Sequence, residues 1–322
     1  MTEGLSSTAP LPAYARRINS PGGALARAWL HWMLRLTVKG TSFIDADIAA
    51  LRARNAAFDA RYARVDPRMR RTSLAGESFG ADWLTMPGSR PERVILYLHG
   101  GAFVFRFPDI HAGMVATWCT RLKARALAVD YRLAPEHPFP AAVDDCRAAY
   151  RWLLAQGIAA HNIVLAGDSA GGNLALGLLQ GLEAAGEPLP ACAVLLSPGV
   201  DFTLSSRSMV TNAQLDPSFA LAELVALRGL YAPPERYLDP AVSPLFGDFA
   251  RLPPLLFQAG GSEMLLDEST RAAARAHAAG VVVELEIWDH MGHEFQTMPL
   301  PQAAAALDCI VQFIERHAGW GA

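Results

Sequence analysis

The sequence predicts an α/β protein of the three-layer, doubly wound kind, with a mostly parallel eight-stranded sheet and a helical cap. Three observations carry that expectation. Residues 94–98, Val-Ile-Leu-Tyr-Leu, form an unbroken apolar run, as a strand buried on both faces requires. From residue 126 onward strand-like and helix-like segments alternate, which implies βαβ units and therefore parallel strands. The first ~65 residues are rich in Ala and Arg, with helical periodicity and no convincing strand, so they are placed outside the sheet.

Taken in order, residues 24–38 space Leu25, Trp29, Trp32, Met33 and Leu36 as one face of an amphipathic helix, interrupted by Arg27, His31 and Arg35. That segment is too short and too charged to span a bilayer. Its tryptophans suit a membrane surface, but packing over an apolar cleft is the favoured use. Arg16 and Arg17 break the N-terminus before a signal-peptide core could form. Residues 72–75 and 79–86 read as short strands around Gly76, and 94–98 as the next. Strands follow at 126–130, 163–166 and 191–196, with helices at 141–155 and 170–185. Residues 199–250 then carry scattered Pro, Ser and Asp with a helical patch at 219–231. Strands at 255–259 and 281–288 and helices at 266–279 and 302–317 resume the alternation. The organisation expected is residues 1–65 as the N-terminal part of the cap and 199–250 as its inserted segment. Residues 66–198 and 251–322 are the two parts of the α/β domain, with the cap over the sheet's carboxyl edge, where such folds place ligands.

The composition narrows the function. Of 322 residues, 52% are hydrophobic and 18% charged, which supports a large core and argues against disorder. The net charge is −3, and the only basic cluster is Arg68, Arg70 and Arg71, so a nucleic-acid partner is not expected. Cys119, Cys146, Cys192 and Cys309 lie far apart without C-x-x-C spacing. Reduced thiols in a cytoplasmic protein follow, with no metal and no cofactor.

The chemistry centres on Gly167-Asp168-Ser169-Ala170-Gly171, between an apolar strand and a helix-forming stretch. A sharp strand-to-helix turn crowds its neighbours, so small residues two positions either side of the serine are expected. The turn leaves the hydroxyl at a helix N-terminus, whose free N–H groups favour negative charge. A serine needs an adjacent base, itself oriented by an acid. Two histidines, His290 and His293, follow the last strand, and one of them can reach the serine. His99, His111, His137, His161 and His277 lie before the serine or within helices, where structural or exposed roles are the default. The acid is expected after the strand at 255–259, where Glu263 and Asp267 both stand. Asp267 is the commoner type but sits where a helix N-cap is expected. Glu263 lies nearer the strand end. His99-Gly100-Gly101-Ala102-Phe103 follows the 94–98 strand and lets backbone N–H groups approach an oxyanion. Gly100, Gly101 and Ala102 are its candidate donors, with Ala170, the residue after the serine, completing the hole.

These pieces resemble the bacterial hormone-sensitive lipase family of esterases, within the α/β-hydrolase superfamily, in the branch with a Gly-Asp-Ser-Ala-Gly motif. The resemblance rests on residues 99–103, the run Asp130-Tyr131-Arg132-Leu133-Ala134-Pro135-Glu136-His137-Pro138-Phe139-Pro140-Ala141, residues 167–173 and His293-x-Phe295. It covers the chain from about residue 70 to the C-terminus. It implies Ser169 as nucleophile, His293 as base and His290 as a loop residue. Family members often place an aspartate about 30 residues ahead of the histidine, and here that position holds Glu263, so Glu263 is preferred to Asp267 as the acid. Asp168, Asn173, Tyr131 and Asp144 match family positions but read as structural, and the segment 131–141 as a rigid loop bracing the site.

The function expected is hydrolysis of short- to medium-chain carboxylic esters through a serine acyl-enzyme, that is, a carboxylesterase. The partner is a small-molecule ester, without stable membrane insertion, and a homodimer is compatible with the sequence. A non-catalytic small-molecule receptor on the same fold, or an amidase, formamidase or thioesterase with the same residues, are the alternatives. Trp29, Trp32, Phe43, Phe202, Met209 and Phe219 are candidates to line an acyl pocket, or equally to form the cap's own core.

Overall fold

Alternation along the central strands separates two apolar cores. In β4 (Val94–Leu98), Val94, Leu96 and Leu98 enter one cluster, and Ile95 and Tyr97 enter the other. β6 (Ile163–Asp168) divides in the same way, Ile163 and Leu165 against Val164 and Ala166. The period of two in side-chain direction makes a continuous apolar run serve both faces at once. Burying each large aliphatic side chain contributes about 1.5–3 kcal/mol, so the middle layer anchors the fold. The computed structural model describes residues 11–19, 22–37, 39, 47–74 and 77–321. Phe43, Ala75 and Gly76 lie outside them.

The remaining strands are β1 (Ala15–Ile18), β2 (Arg70–Ser73), β3 (Gly80–Thr85), β5 (Arg125–Asp130), β7 (Cys192–Leu196), β8 (Leu255–Gly260) and β9 (Val283–Trp288). They form one sheet in the order β1-β9-β8-β7-β6-β4-β5-β3-β2. β2 and β3 pair antiparallel, as do β3 and β5, and every other pairing is parallel. On one face lie α4 (Ala141–Ala155), α5 (Ala170–Ala184) and α8 (Leu266–Ala278), and on the other α3 (Pro108–Leu122) and α9 (Pro301–Ala318). This is the three-layer architecture expected.

The sheet has nine strands, not eight, and the additional one falls within the stretch assigned to helices alone. β1 runs parallel to β9, with Ala15 opposite Leu285 and Ile18 opposite Trp288. Its sequence, Ala-Arg-Arg-Ile, has no alternating apolar pattern, because the strand lies at an edge and is held by polar groups. Arg16 pairs with the buried Glu286, and Arg17 with Asp289 at 2.9 Å.

α3 also has no counterpart in the sequence reading. Its N-cap residue, Phe107, offers no capping oxygen. The cap comes from α2 (Ile48–Tyr62), where Asp59 accepts the N–H groups of Asp109 at 2.9 Å and Ile110 at 2.8 Å. Such a cap satisfies donors that the helix itself cannot.

α1 (Ala24–Thr37) is amphipathic as expected, but turned the other way. Leu30 and Leu34 are buried against Trp288, Met291, Phe295 and Leu300. Leu25, Trp29, Trp32 and Leu36 face outward, with Trp29 62% and Trp32 60% exposed. The helix therefore packs on the β9 side of the sheet through a different stripe. The inserted segment contributes α6 (Ser208–Thr211) and α7 (Leu221–Tyr231). Arg35 reaches the Gln214 carbonyl at 2.7 Å, and Lys39 the carbonyls of Ala213 and Asp216 at 2.6 and 2.7 Å. These bonds join α1 and Lys39 just after it to the inserted segment. Among the described residues no helix is long and apolar enough to cross a membrane.

Candidate active site

Ser169 occupies the corner between β6 and α5 with φ 49° and ψ −115°, a conformation rare outside glycine. The turn is so tight that a β-carbon on Gly171 would overlap the Leu98 carbonyl, and one on Gly167 the Gly171 carbonyl. Those two contacts give the physical reason for the flanking glycines. The Ser169 N–H donates to the Leu196 carbonyl at 2.8 Å, and its own carbonyl accepts from Gly199 and Asn173, each at 3.1 Å. Asn173 further donates to the Gly199 and Val242 carbonyls at 2.8 and 2.9 Å. The corner is thus fixed from both sides, with the serine at the head of α5.

The acid loop and the histidine loop are laced together by backbone. Gly261 donates to the Trp288 carbonyl at 2.8 Å and Ser262 to the Met291 carbonyl at 2.9 Å. That lacing sets Glu263 Oε2 2.8 Å from Nδ1 of His293, both side chains buried, while Glu263 Oε1 accepts the Gly260 N–H at 3.0 Å. With Nδ1–H held by a carboxylate, Nε2 carries the lone pair of the neutral ring. Nε2 of His293 makes no hydrogen bond, and Glu294 Oε1 lies 3.5 Å from it. Burial disfavours the His293 imidazolium. The neighbouring Glu294 charge and the Glu263 hydrogen bond outweigh burial and raise it well above the usual imidazole range. Asp267 is elsewhere and is not the N-cap of α8. It lies in the first turn of that helix and accepts the Ser208 N–H at 3.0 Å, while Ser208 Oγ accepts the Asp267 N–H at the same distance. His290 is exposed on its turn.

The glycine-rich loop is braced at several points. The Gly100 N–H donates to Asp168 Oδ2 at 2.9 Å, which removes Gly100 from the set of candidate oxyanion donors. The N–H groups of Gly101, Ala102 and Ala170 have no acceptor among the described residues. Tyr131 donates to the His99 carbonyl at 2.7 Å and stacks on the His99 ring at 4.2 Å. Burial, then the nearby His111, lowers the His99 imidazolium to about 4, so this ring is neutral near pH 7. The 131–141 segment reaches the loop through the Ala134 N–H on the Phe103 carbonyl at 2.9 Å. Arg52 links the Val104 and Ala134 carbonyls at 3.0 and 2.7 Å. Asp145 rather than Asp144 anchors this segment. It is buried and takes the Arg132 guanidinium and N–H at 2.8–3.1 Å, while Asp144 is exposed.

Beneath the serine lies a polar cluster built on Asp168, expected from the sequence as structural, whose partners the sequence reading did not join to it. Asp168 is fully buried and accepts from the Tyr97 hydroxyl, the Gly100 N–H and Nε2 of His111 at 3.3 Å. Burial works against its charge, but His111 and these hydrogen bonds keep it well below the usual carboxylate range. His111, Asp168 and Glu294 form a trio whose ligand atoms lie within 4.8 Å of one another, and the trio is already joined by its own hydrogen bonds. Asp216 was also missed. Its Oδ2 accepts the Met264 N–H at 2.7 Å and its Oδ1 the N–H groups of Ser218 and Phe219 at 2.7 and 3.0 Å. The inserted segment is thereby fastened to the loop after β8, and the Phe219 ring is set edge-on to His293 with centroids 4.8 Å apart. The Asp-Pro-Ser run at 216–218 was the readable signal, since aspartate before proline favours such a turn. Phe202 packs on Phe103 and Tyr231, and Met209 on Met264 and Leu265, so of the named pocket candidates Phe219 borders the histidine.

Residues 95–297 match the family model described as the alpha/beta hydrolase fold. The chain is 36% identical over 279 residues to an acetyl-hydrolase of Streptomyces hygroscopicus, covering 81% of this chain and 93% of that protein. It is 38% identical over 230 residues to an esterase of Acinetobacter venetianus, covering 69% and 74%. Among solved structures, an esterase from the bacterial hormone-sensitive lipase family superposes with a TM-score of 0.87 at 37% identity, covering 92% of this chain and all of that one. The chain belongs to the α/β-hydrolase fold family, and within it to the bacterial hormone-sensitive lipase family of esterases.

Proposed function

We propose that this carboxylesterase works through Ser169 as nucleophile, His293 as general base and acid, and Glu263 as the acid that orients the imidazole. The observation that carries the assignment is the buried Glu263–His293 hydrogen bond of 2.8 Å at the carboxyl edge that also holds the strained Ser169 corner. Ser169 Oγ attacks the ester carbonyl as His293 Nε2 takes its proton. The tetrahedral oxyanion is received by the N–H groups of Gly101, Ala102 and Ala170. His293 then protonates the departing alkoxide, leaving an acyl-serine. A water, deprotonated by the same nitrogen, attacks the acyl carbon and releases the acid, and the proton returns to Ser169.

In this reading the described residues of 22–65 together with 199–250 make up the cap, and the described residues of 66–198 and 251–321 make up the catalytic part. Short- to medium-chain acyl groups fit this reading, and the acetyl-hydrolase name of one relative supports a small acyl group. A soluble ester is the partner, and every residue of the proposed machinery comes from one chain. A cytoplasmic setting is supported by four free cysteines, three of them buried. Ser169→Ala and His293→Ala are expected to lower p-nitrophenyl butyrate hydrolysis by about 10⁴-fold or more. Activity within tenfold of the parent in either variant would overturn the mechanism. A panel of esters varied in acyl and alcohol moieties then reads the chain-length preference.

A further inference from the structure

Glu294 stands directly after His293, in the left-handed region at φ 52° and ψ 34°, where a glutamate is uncommon. The turn returns its side chain to the floor of the site. A β-carbon placed on Gly100 would overlap both Asp168 Oδ2 and Glu294 Oε1, so the two carboxyl groups flank the same point of the glycine-rich loop. Glu294 Oε1 is also 3.5 Å from Nε2 of His293, the nitrogen opposite the one that Glu263 holds. Asp168 cannot move away, because Tyr97, Gly100 and His111 fix it. The Glu294 side chain is 21% exposed against 0% for Glu263 and Asp168, so it is the least buried carboxyl of this group.

We propose that Glu294 is a positioning residue for the base: braced on Asp168, its carboxyl stands at Nε2 of His293 as Glu263 stands at Nδ1, and the two together hold the imidazolium formed when Ser169 gives up its proton. The inference rests on His293 being the general base. A carboxylate beside an imidazolium stabilises the charged ring, whereas a carboxylate beside another carboxylate retains a proton. Burial, then the Asp168 charge, raises Glu294 above the usual carboxylate range, and the same Glu294 raises His293. Asp168 thus holds a proton on Glu294 while the His293 imidazolium draws it off, and the ring's charge and the carboxyl's charge support each other. The groups facing this pair are Asp168 from β6, His111 from α3, Tyr97 from β4, Tyr131 after β5 and Glu263 before α8.

The sign of the effect follows. With Glu294 removed, the imidazolium loses an anionic neighbour, so the ring becomes neutral, and competent as a base, at lower pH. The test is the pH dependence of kcat/KM for p-nitrophenyl butyrate in the parent, in Glu294→Gln and in Glu294→Gly, the last because glycine adopts this φ without strain. The expected result is an acid limb whose midpoint falls by about one pH unit in both variants, a tenfold change in the proton dissociation constant, with KM little changed. An unchanged midpoint, even alongside a lower kcat, would overturn the proposal and leave Glu294 a structural residue. The same midpoint is read without turnover by NMR titration of the His293 ring in Ser169→Ala, with and without Glu294→Gln. Failure of the base assignment appears separately, as activity retained in His293→Ala.

Discussion

Glu263, in the loop after β8, and Asp267, in the first turn of α8, are four positions apart and differ in what their carboxyls touch. Glu263 is buried on a ring nitrogen, whereas Asp267 closes a reciprocal pair with Ser208 that fastens α8 to the inserted segment. Glu263→Gln, which keeps the shape but offers Nδ1 an amide, is expected to lower kcat by about 10²–10⁴-fold. Asp267→Asn should keep kcat within about tenfold and cost about 1 kcal/mol of stability, read from urea denaturation. Loss of activity in a folded Asp267→Asn would reverse the two roles. In the sequence these carboxylates were separated by the N-cap expected at Asp267, by Glu263's nearness to the strand end and by the spacing to the histidine that the family resemblance implies. Spacing could not show that the Gly100 N–H turns to Asp168, nor that Asp145 rather than Asp144 meets Arg132. Those choices depend on backbone rotation within a single turn, which residue type leaves undetermined.

Elements were legible where one local rule dominated. β4 and β7 are continuous apolar runs and β6 is one up to its closing Gly-Asp, all three buried throughout. α3 failed this rule twice: it is buried around most of its circumference, and its cap lies on another helix. Replacing that cap should therefore act at a distance in sequence. Asp59→Ala is expected to lower stability by about 1–2 kcal/mol, seen as a lower urea midpoint with an unchanged slope, and Asp59→Asn by less. A midpoint unaffected by Asp59→Ala would show that water caps α3 equally well. α1 illustrates the converse. Its apolar residues form two stripes, Leu25-Trp29-Trp32-Leu36 and Leu30-Leu34, and helical spacing identifies both without saying which faces inward. The smaller stripe faces inward and packs in one cluster with Trp288, Met291, Phe295 and Leu300.

Across the whole molecule the tryptophans report this orientation. Trp29 and Trp32 are 62% and 60% exposed, whereas Trp118, Trp288 and Trp320 are 1%, 2% and 3% exposed. Acrylamide is expected to quench the fluorescence in two components, and the double variant Trp29→Phe, Trp32→Phe should remove the readily quenched one while leaving activity in place. A single quenching component in the parent protein would place those side chains in a buried setting. Fold class was legible at this scale because alternation over some 200 residues averages out local errors, while β1, four residues with two arginines, offered no pattern to average. That edge strand has a kinetic consequence. β1 pairs with β9, Ala15 against Leu285, so β1 is synthesised long before its partner strand and must wait for it. Closing so long a loop is slow in entropic terms, and the sheet's central strands have local partners to consolidate first. During that interval the outer edge of β9 is an open row of unpaired backbone groups, and the docking of residues 15–18 is the step that seals it against pairing with another nascent chain.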